Sequence, residues 1–333
     1  MNLRVAVLGG GSFGTTVASL ATRNAPATLW SRRSEQVEEI NREHTNERYL
    51  AGFRLPETLR ATDSLEEAVS EADVVVMGVP SHVFRSVLEE LAPSLRPWVP
   101  VVSLAKGLEQ GTQLRMTQVI QEILPEHRAS VLTGPNLAKE IMAGFAAASV
   151  VAVDDPMTAR QLQSVFHSGL FRVYTNDDVI GCELGGALKN VIAIASGMGD
   201  GLGVGDNTRS AVITRGLAEL CRLGTAMGGR EQTFSGLAGM GDLIATCISP
   251  QSRNRRVGVE LGKGRKLQEI LDDMHMVAEG VKTSKVVMQL AEQYGVDMPI
   301  AREVHGVIHE GRSAEDAYRG LTRRPAGAEN EPA

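Results

Sequence analysis

The sequence is poor in aromatic residues and cysteine and has no long hydrophobic run. Aromatic residues make up 4 % of the 333 residues, and hydrophobic residues make up 43 %, as is typical of a globular protein. The three cysteines (182, 221 and 247) are odd in number and lack C-x-x-C spacing, which argues against a disulfide scaffold and suits a reducing cytosol. The longest apolar-and-small run, residues 141–153, is shorter than the roughly 20 residues that span a bilayer. No signal peptide precedes the first predicted strand. We therefore expect a cytoplasmic protein without membrane insertion.

An excess of basic residues is also missing. The chain has 34 Lys and Arg against 40 Asp and Glu, for a formal net charge of -6. This balance argues against a general nucleic-acid or membrane-surface binder. An anionic ligand would therefore need a local cluster of basic side chains.

Two patterns of secondary structure divide the chain. Short Val- and Leu-rich runs alternate with helical segments up to Asn176, and predict strands at 3–9, 27–33, 72–80, 99–107, 129–135, 148–153 and 171–175. Such runs indicate an α/β fold with a Rossmann-like, doubly wound and mostly parallel sheet. From Val179 onward only helices are predicted, with glycine-rich breaks at 197–205 and 236–241. We predict an N-terminal domain of residues 1–178, an all-α domain of residues 179–323 and a disordered tail of residues 324–333.

The motif "GGGSFG" fits G-x-G-x-x-G through Gly9, Gly11 and Gly14. It follows a predicted strand and opens a predicted helix, the context in which it binds a dinucleotide pyrophosphate. The alternative is an ordinary glycine-rich turn between a strand and a helix. In the favoured interpretation Ser12 and Phe13 line the cofactor.

The second predicted strand ends in Ser31, Arg32 and Arg33, where an NAD-preferring site usually has an acid. Two guanidinium groups suit a 2′-phosphate, so we expect NADP(H) to be preferred and NAD(H) to be possible. A solvated basic strand end is the alternative.

Ligands of open α/β sheets bind beyond the carboxyl ends of the strands. Lys106 follows one predicted strand, although a surface lysine would look the same. Gly134 and Asn136 follow another, just before a predicted helix that has Ala138 in its first turn.

The helical half adds two candidate segments. Asp242 follows a glycine-rich break, and Ser252, Arg253 and Asn254 stand at a predicted helix start. A hydroxyl, a guanidinium and an amide at a helix N-terminus can hold a phosphate. Taken singly, the aspartate could be an N-cap and the arginine a solvated side chain.

Lys189 stands beside the apolar stripe of the predicted helix "ELGGALKNVIAI". Its neighbours at helical spacing include Gly185, Gly186 and Ala193, so another helix or a small ligand can come close to its ammonium.

Eight segments together resemble the bacterial NAD(P)-dependent glycerol-3-phosphate dehydrogenase family, in order from about residue 3 to residue 310. They are "GGGSFGT", "VPSH", "AKGLE", "TGPNLAKE", "LGGALKNVIAIASG", "TRGLAE", "GLAGMGDLIATC" and "SRNRR". The resemblance implies that Lys189 accepts the proton in alcohol oxidation and donates it in ketone reduction. It implies a substrate site of Lys106, Gly134, Asn136, Lys189, Asp242, Ser252, Arg253 and Asn254. Besides the glycines, it implies cofactor contacts at Ser12, Phe13, Arg32, Arg33, Lys106, Ala138, Arg253, Val277 and Glu279. The family commonly has a small hydroxyl residue where Asn136 stands.

The implied reaction is reversible hydride transfer between NAD(P)H and dihydroxyacetone phosphate, which gives glycerol 3-phosphate for phospholipid synthesis. One alternative is a hydroxyacid dehydrogenase of the 6-phosphogluconate or 3-hydroxyisobutyrate type, and another is a non-catalytic NADP(H)-sensing regulator. We expect no metal, since His305 and His309 have no evident third ligand. The apolar helical half makes a homodimer plausible.

Overall fold

The computed structural model describes residues 3–274 and 277–323, so the predicted disordered tail lies outside the described residues. The described residues form two compact units, one within residues 1–105 and 114–179 and the other within residues 106–113 and 180–333. The sequence predicts a single boundary, whereas residues 106–113 join the second unit. Leu108 is buried in that unit's hydrophobic core, which accounts for the excursion.

The first unit contains an eight-stranded sheet with the order β3-β2-β1-β4-β5-β6-β7-β8. Every pairing is parallel except that of β6 with β7. The strands are β1 (Val5–Leu8), β2 (Ala27–Trp30), β3 (Arg60–Thr62), β4 (Val74–Met77), β5 (Val101–Ser103), β6 (Ala129–Thr133), β7 (Ala147–Ala152) and β8 (Phe171–Asn176). The predicted mostly parallel fold is confirmed. The sequence did not predict β3, because this three-residue strand lacks an apolar run.

Helices cover both faces of this sheet. Val5 and Val7 of β1 pack into one hydrophobic core, while Ala6 and Leu8 pack into another. Successive side chains of a strand point to opposite faces, so two cores require two layers of helices. The helices are α1 (Ser12–Ala21), α2 (Ser34–Glu43), α3 (Glu47–Leu50), α4 (Leu65–Val69), α5 (Ser81–Leu91), α6 (Met116–Ile123), α7 (Ala138–Met142) and α8 (Pro156–Phe166), with a 3₁₀ turn at Ala92–Ser94.

Within its described residues the second unit is helical from residue 180 onward, whereas its residues 106–113 form no helix. Its helices are α9 (Val179–Leu202), α10 (Asp206–Ala226), α11 (Glu231–Phe234), α12 (Asp242–Ile248), α13 (Arg253–Gly262), α14 (Leu267–Asp272), α15 (Glu279–Gln293), α16 (Pro299–His309) and α17 (Ala314–Thr322). Among the described residues, α9 alone is long and apolar enough to cross a membrane, and 89 % of its most apolar stretch is buried inside the protein. It is therefore a core helix rather than a membrane span.

The first predicted glycine-rich break is confined to residues 203–205, and the second is largely a helical turn. Residues 197–202 continue α9, and Leu237–Gly241 forms a π-helical turn. A side chain at Gly197 would overlap the carbonyl oxygen of Arg255, and one at Gly201 would overlap that of Val259. These glycines let α13 approach α9 closely, which is why they stand inside a helix despite their low helical propensity.

Candidate active site

The glycine loop, residues 9–14, connects β1 to α1 in the first unit. Gly9 has a φ of 129°, and a Cβ there would lie 2.7 Å from the carbonyl oxygen of Gly78. A Cβ on Gly14 would overlap the carbonyl oxygen of Gly9. A Cβ on Gly11, by contrast, would have no heavy atom within 4 Å. The loop is thus closely packed at Gly9 and Gly14 and open at Gly11, which fits a cradle for a pyrophosphate at a helix N-terminus.

The two residues between these glycines use their side chains within the protein. Ser12 Oγ donates to the carbonyl oxygen of Tyr49 at 2.9 Å, and Phe13 packs half-buried against one core of the sheet. The main chain of the loop therefore remains the main candidate for contact with a phosphate.

Arg32 and Arg33 follow β2 directly. Arg32 is exposed and Arg33 is half-buried, just before α2. Within the described part of the chain, neither guanidinium group makes a hydrogen bond or an ion pair. Two uncommitted guanidinium groups at this strand end are suited to a phosphate on the adenosine ribose.

Gly134, Asn136 and Ala138 follow β6 of the first unit. Gly134 has a φ of 131°, and Ala138 is the first residue of α7. Asn136 Nδ2 donates to Ser149 Oγ at 3.1 Å, and its Oδ1 is buried without a hydrogen-bond partner among the described residues. A buried acceptor without a partner is costly, so a ligand that donates a hydrogen bond would stabilise it.

The lysine cluster in the second unit consists of Lys106, Lys189, Asp242 and Thr246. Lys189 of α9 is 4 % exposed, and its Nζ donates to Asp242 Oδ1 at 2.6 Å and to Thr246 Oγ1. Lys106 Nζ donates to Asp242 Oδ2 at 2.7 Å. Asp242, the first residue of α12, is 2 % exposed and holds both ammonium groups.

Burial changes the acidity of Lys189. Removal from water disfavours the ammonium, and this together with the nearby charge of Lys106 lowers the pKa of Lys189 to about 8, although Asp242 acts in the opposite direction. The cluster contains two basic side chains and one acidic one. It therefore favours an anion or a growing negative charge, and it contains an amine that can gain or lose a proton near neutral pH.

A chain of amide hydrogen bonds fixes the surroundings of the cluster. Asn190 Nδ2 donates to the carbonyl oxygen of Lys106 at 2.7 Å, and Asn254 Nδ2 donates to Asn190 Oδ1 at 2.8 Å. The backbone N–H of Gly280 donates to Asn254 Oδ1 at 3.0 Å. Asn190 and Asn254 are both buried, so these bonds hold Lys106, α9, α13 and the start of α15 in one arrangement.

The predicted phosphate-binding residues stand at the start of α13, as expected from the sequence. Ser252 is the N-cap, and its Oγ accepts a hydrogen bond from the backbone N–H of Arg255 at 3.2 Å. Arg253 is exposed, and its Nη1 donates to the carbonyl oxygen of Val277 at 2.7 Å. Ser252 and Arg253 thus have structural partners, and the helix N-terminus adds a favourable potential for an anion.

Comparisons with known proteins identify the family. The family model of the NAD-dependent glycerol-3-phosphate dehydrogenase N-terminus matches residues 4–159, and that of the C-terminus matches residues 178–319. The chain belongs to this family.

Similar proteins extend over the whole chain. Glycerol-3-phosphate dehydrogenase [NAD(P)+] 2 of Sphingopyxis alaskensis is 61 % identical over 332 residues, which is 100 % of both chains. Glycerol-3-phosphate dehydrogenase [NAD(P)+] 1 of Mycobacterium tuberculosis is 56 % identical and covers 98 % of this chain and 96 % of its own length. The crystal structure of glycerol-3-phosphate dehydrogenase from Coxiella burnetii is 37 % identical, covers 97 % of this chain and 99 % of that one, and has a TM-score of 0.93. Membership of the family confirms the predicted oxidoreductase class and NAD(P) dependence.

Within this family member, the second unit brings Lys106, Lys189, Asp242 and Asn254 into one bonded group. Thr246 is a member of the lysine cluster that was not predicted from the sequence, although its position four residues after Asp242 puts both on the same helical face. The expected open face beside Lys189 is partly closed, because a Cβ on Gly185 would lie 2.6 Å from the carbonyl oxygen of Ala238. At Gly185 the small residue therefore admits the backbone of a neighbouring segment and not a ligand.

No group of three His, Cys, Asp or Glu side chains suited to a metal ion occurs among residues 3–274 and 277–323. The rings of His305 and His309 are tilted by 45° with their centroids 4.8 Å apart, and His309 Nε2 lies 2.9 Å from Ser284 Oγ.

Proposed function

We propose that the chain catalyses reversible hydride transfer between NAD(P)H and dihydroxyacetone phosphate, which yields sn-glycerol 3-phosphate. The observation that carries this proposal is the buried lysine cluster, in which Asp242 binds the ammonium groups of both Lys189 and Lys106. A ketone that accepts a hydride develops negative charge on its oxygen. An ammonium at that oxygen stabilises the charge and then supplies the proton.

Lys189 is the proposed acid in reduction and the base in oxidation. Its pKa of about 8 means that both protonation states are accessible near neutral pH. Asp242 and Thr246 accept hydrogen bonds from Nζ and fix the direction of the amine. The remaining N–H of the ammonium is then the one available to a substrate oxygen.

Lys106 is proposed to add a second positive charge at the substrate. Its carbonyl oxygen is bound by Asn190 and its Nζ by Asp242, so both ends of the residue are fixed. A charge that is already in place does not have to reorganise when the oxyanion forms.

The substrate phosphate is assigned to Ser252, Arg253 and Asn254 at the start of α13. The helix N-terminus and the guanidinium of Arg253 in its first turn support this assignment. Gly134 and Asn136 are proposed to bind the substrate as well, and the partnerless Oδ1 of Asn136 supports a hydrogen bond from a ligand hydroxyl.

The cofactor supplies the hydride. The glycine loop, through Gly9, Gly11 and Gly14 with Ser12 and Phe13, is proposed to bind its pyrophosphate, and the open space at Gly11 supports this. Arg32 and Arg33 are proposed to bind the 2′-phosphate and so to favour NADP(H) over NAD(H). The further proposed cofactor contacts are Lys106, Ala138, Arg253, Val277 and Glu279.

We assign the enzyme to the cytoplasm, in the direction of reduction, where its product supplies phospholipid synthesis. The three free cysteines, of which Cys182 and Cys247 are buried, suit a reducing compartment. A homodimer through the apolar helical half is part of the same proposal.

The decisive assay follows NADPH and NADH oxidation with dihydroxyacetone phosphate beside a panel of 2- and 3-keto acids. We expect turnover with the triose phosphate and a higher kcat/KM with NADPH. Turnover only with keto acids would indicate a hydroxyacid dehydrogenase. Tight NADPH binding without any turnover would indicate a regulator.

A further inference from the structure

The carbonyl oxygen of Gly10, inside the glycine loop, is bound by two buried amides. Gln36 Nε2 donates to it at 2.6 Å, and Asn46 Nδ2 donates to it at 3.0 Å. Gln36 belongs to α2 and is 6 % exposed, whereas Asn46 precedes α3 and is fully buried. Two side chains from outside the motif thus occupy both lone pairs of one loop carbonyl.

Both amides are themselves held in place. Gln36 Oε1 accepts a hydrogen bond from Ser31 Oγ at 2.7 Å, and Asn46 Nδ2 also donates to Thr15 Oγ1 at 2.9 Å. Each amide therefore has a fixed orientation, which a single contact would not provide.

The orientation of this carbonyl determines that of the next N–H. The Gly10–Gly11 peptide bond is trans, and in a trans peptide the C=O and the N–H point in opposite directions. With the Gly10 oxygen facing Gln36 and Asn46, the N–H of Gly11 faces away from them. We propose that Gln36 and Asn46 are positioning residues that hold this peptide so that the Gly11 N–H binds the cofactor pyrophosphate.

The two adjacent glycines give a physical reason why this peptide needs positioning residues. Neither Gly10 nor Gly11 has a Cβ to restrict its dihedral angles. The peptide plane between them can therefore reorient more freely than a plane between two residues that carry side chains. Fixing it before the ligand arrives lowers the entropic cost of binding. A Cβ on Gly10 would lie 2.7 Å from Gln36 Nε2, so the space beside Gly10 is filled by the amide.

This inference rests on the proposed dinucleotide site and adds a distinct expectation. The pyrophosphate is common to NADPH and NADH. Loss of the hydrogen bonds to the Gly10 carbonyl should therefore weaken the binding of both nucleotides to the same degree. Arg32 and Arg33, in contrast, would face a group that only NADPH carries.

The test compares Gln36→Leu and Gln36→Glu with the wild type in the full-length protein. Leucine removes both hydrogen bonds, and glutamate keeps an acceptor for Ser31 Oγ but cannot donate to Gly10. Dissociation constants of NADPH and NADH are measured by nucleotide fluorescence without substrate, and Tm is measured for each protein alone. We expect both variants to raise both constants about five- to tenfold, with the ratio of NADPH to NADH affinity unchanged.

Gln163→Leu is the matched control. Gln163 Nε2 also donates to a main-chain carbonyl, that of Val173 at 2.7 Å, but outside the glycine loop. It should lower Tm without changing either dissociation constant. Unchanged nucleotide affinity in either folded Gln36 variant, or an equal loss of affinity in Gln163→Leu, would overturn the inference alone. A wild-type protein that binds neither nucleotide would overturn the proposed function and the inference with it.

Discussion

The glycine loop and the lysine cluster are built in opposite ways. The glycine loop is a single run of six residues, and its packing leaves no room for a side chain at Gly9 or Gly14. The lysine cluster takes side chains from three separate segments, at residues 106, 189 and 242–246, and depends on charges that are present and paired.

This contrast predicts different sensitivities. The loop should fail when a side chain gains atoms, because backbone must then move. The cluster should fail when a side chain loses its charged end, because a buried partner is then left unpaired. Four experiments test this difference, and the largest effect is expected at the amine.

Lys189→Ala should lower kcat for dihydroxyacetone phosphate reduction by about four orders of magnitude, because both the proton donor and its charge are lost. The dissociation constant of NADPH should change little, since the glycine loop is untouched. Steady-state kinetics and nucleotide fluorescence measure the two quantities.

Lys263→Ala is the control for that variant. Lys263 lies in the same unit, and its exposed ammonium pairs with Glu260 at 2.9 Å. Exposed ion pairs contribute little, so this protein should keep wild-type kinetics. Near-normal turnover of Lys189→Ala would show that the amine is not the proton donor. The lysine cluster could then no longer be contrasted with the glycine loop as the catalytic part.

Gly14→Ala should weaken NADPH and NADH alike, by about a hundredfold, because the new methyl group would overlap the carbonyl of Gly9 and distort the cradle. The control is Gly169→Ala in the same unit, where a Cβ meets no atom within 4 Å. Isothermal titration with each nucleotide gives the affinities. If Gly14→Ala bound both nucleotides normally, the close packing at Gly14 would not be required for nucleotide binding.

The loop and the cluster also differ in how far the sequence predicts them. The G-x-G-x-x-G spacing, together with a strand before it and a helix after it, identified the loop because all of its information is local. Lys106, Lys189 and Asp242 were each singled out in the sequence, but only the resemblance to a family placed them in one site, since nothing local connects residue 106 to residue 242. Thr246 was missed although it stands one helical turn after Asp242. The amide bonds that connect Asn254 to Asn190 and Lys106 join segments distant in sequence, and no local pattern predicts them.

Glycines were the least reliable signal along the chain. Gly197 and Gly201 suggested a break in the helix, whereas the structure uses them for close contact with α13. A glycine that ends a helix and a glycine that admits a neighbouring helix look alike in one sequence. Only the position of the second helix distinguishes them, and that position is a tertiary property.

Arg32→Ala with Arg33→Ala should raise the dissociation constant of NADPH about thirtyfold and that of NADH less than about threefold, because charge-assisted bonds to the 2′-phosphate are lost. This result would give side chains a role at the cofactor end as well, which would sharpen the comparison. Arg23→Ala with Arg172→Ala, both at exposed positions elsewhere in the first unit, controls for the loss of net charge. Equal losses for both nucleotides would contradict the assignment of NADP(H) preference.

The smallest effect concerns pH and belongs to the cluster alone. Since burial lowers the pKa of Lys189 to about 8, its ammonium dominates below that pH and its neutral amine above it. Reduction needs the ammonium, so its kcat should halve near pH 8 and fall further as pH rises, whereas oxidation should show the mirror image. Asp242 raises this pKa, so in Asp242→Asn the residual activity in both directions should change at lower pH. Nucleotide affinity in the wild type, which we assign to main-chain N–H groups and guanidinium groups, should stay level over the same range. If nucleotide affinity instead changed with the same pH midpoint as kcat, nucleotide binding would depend on the protonation of the amine. The two regions would then not be independent, and the contrast between them would fail.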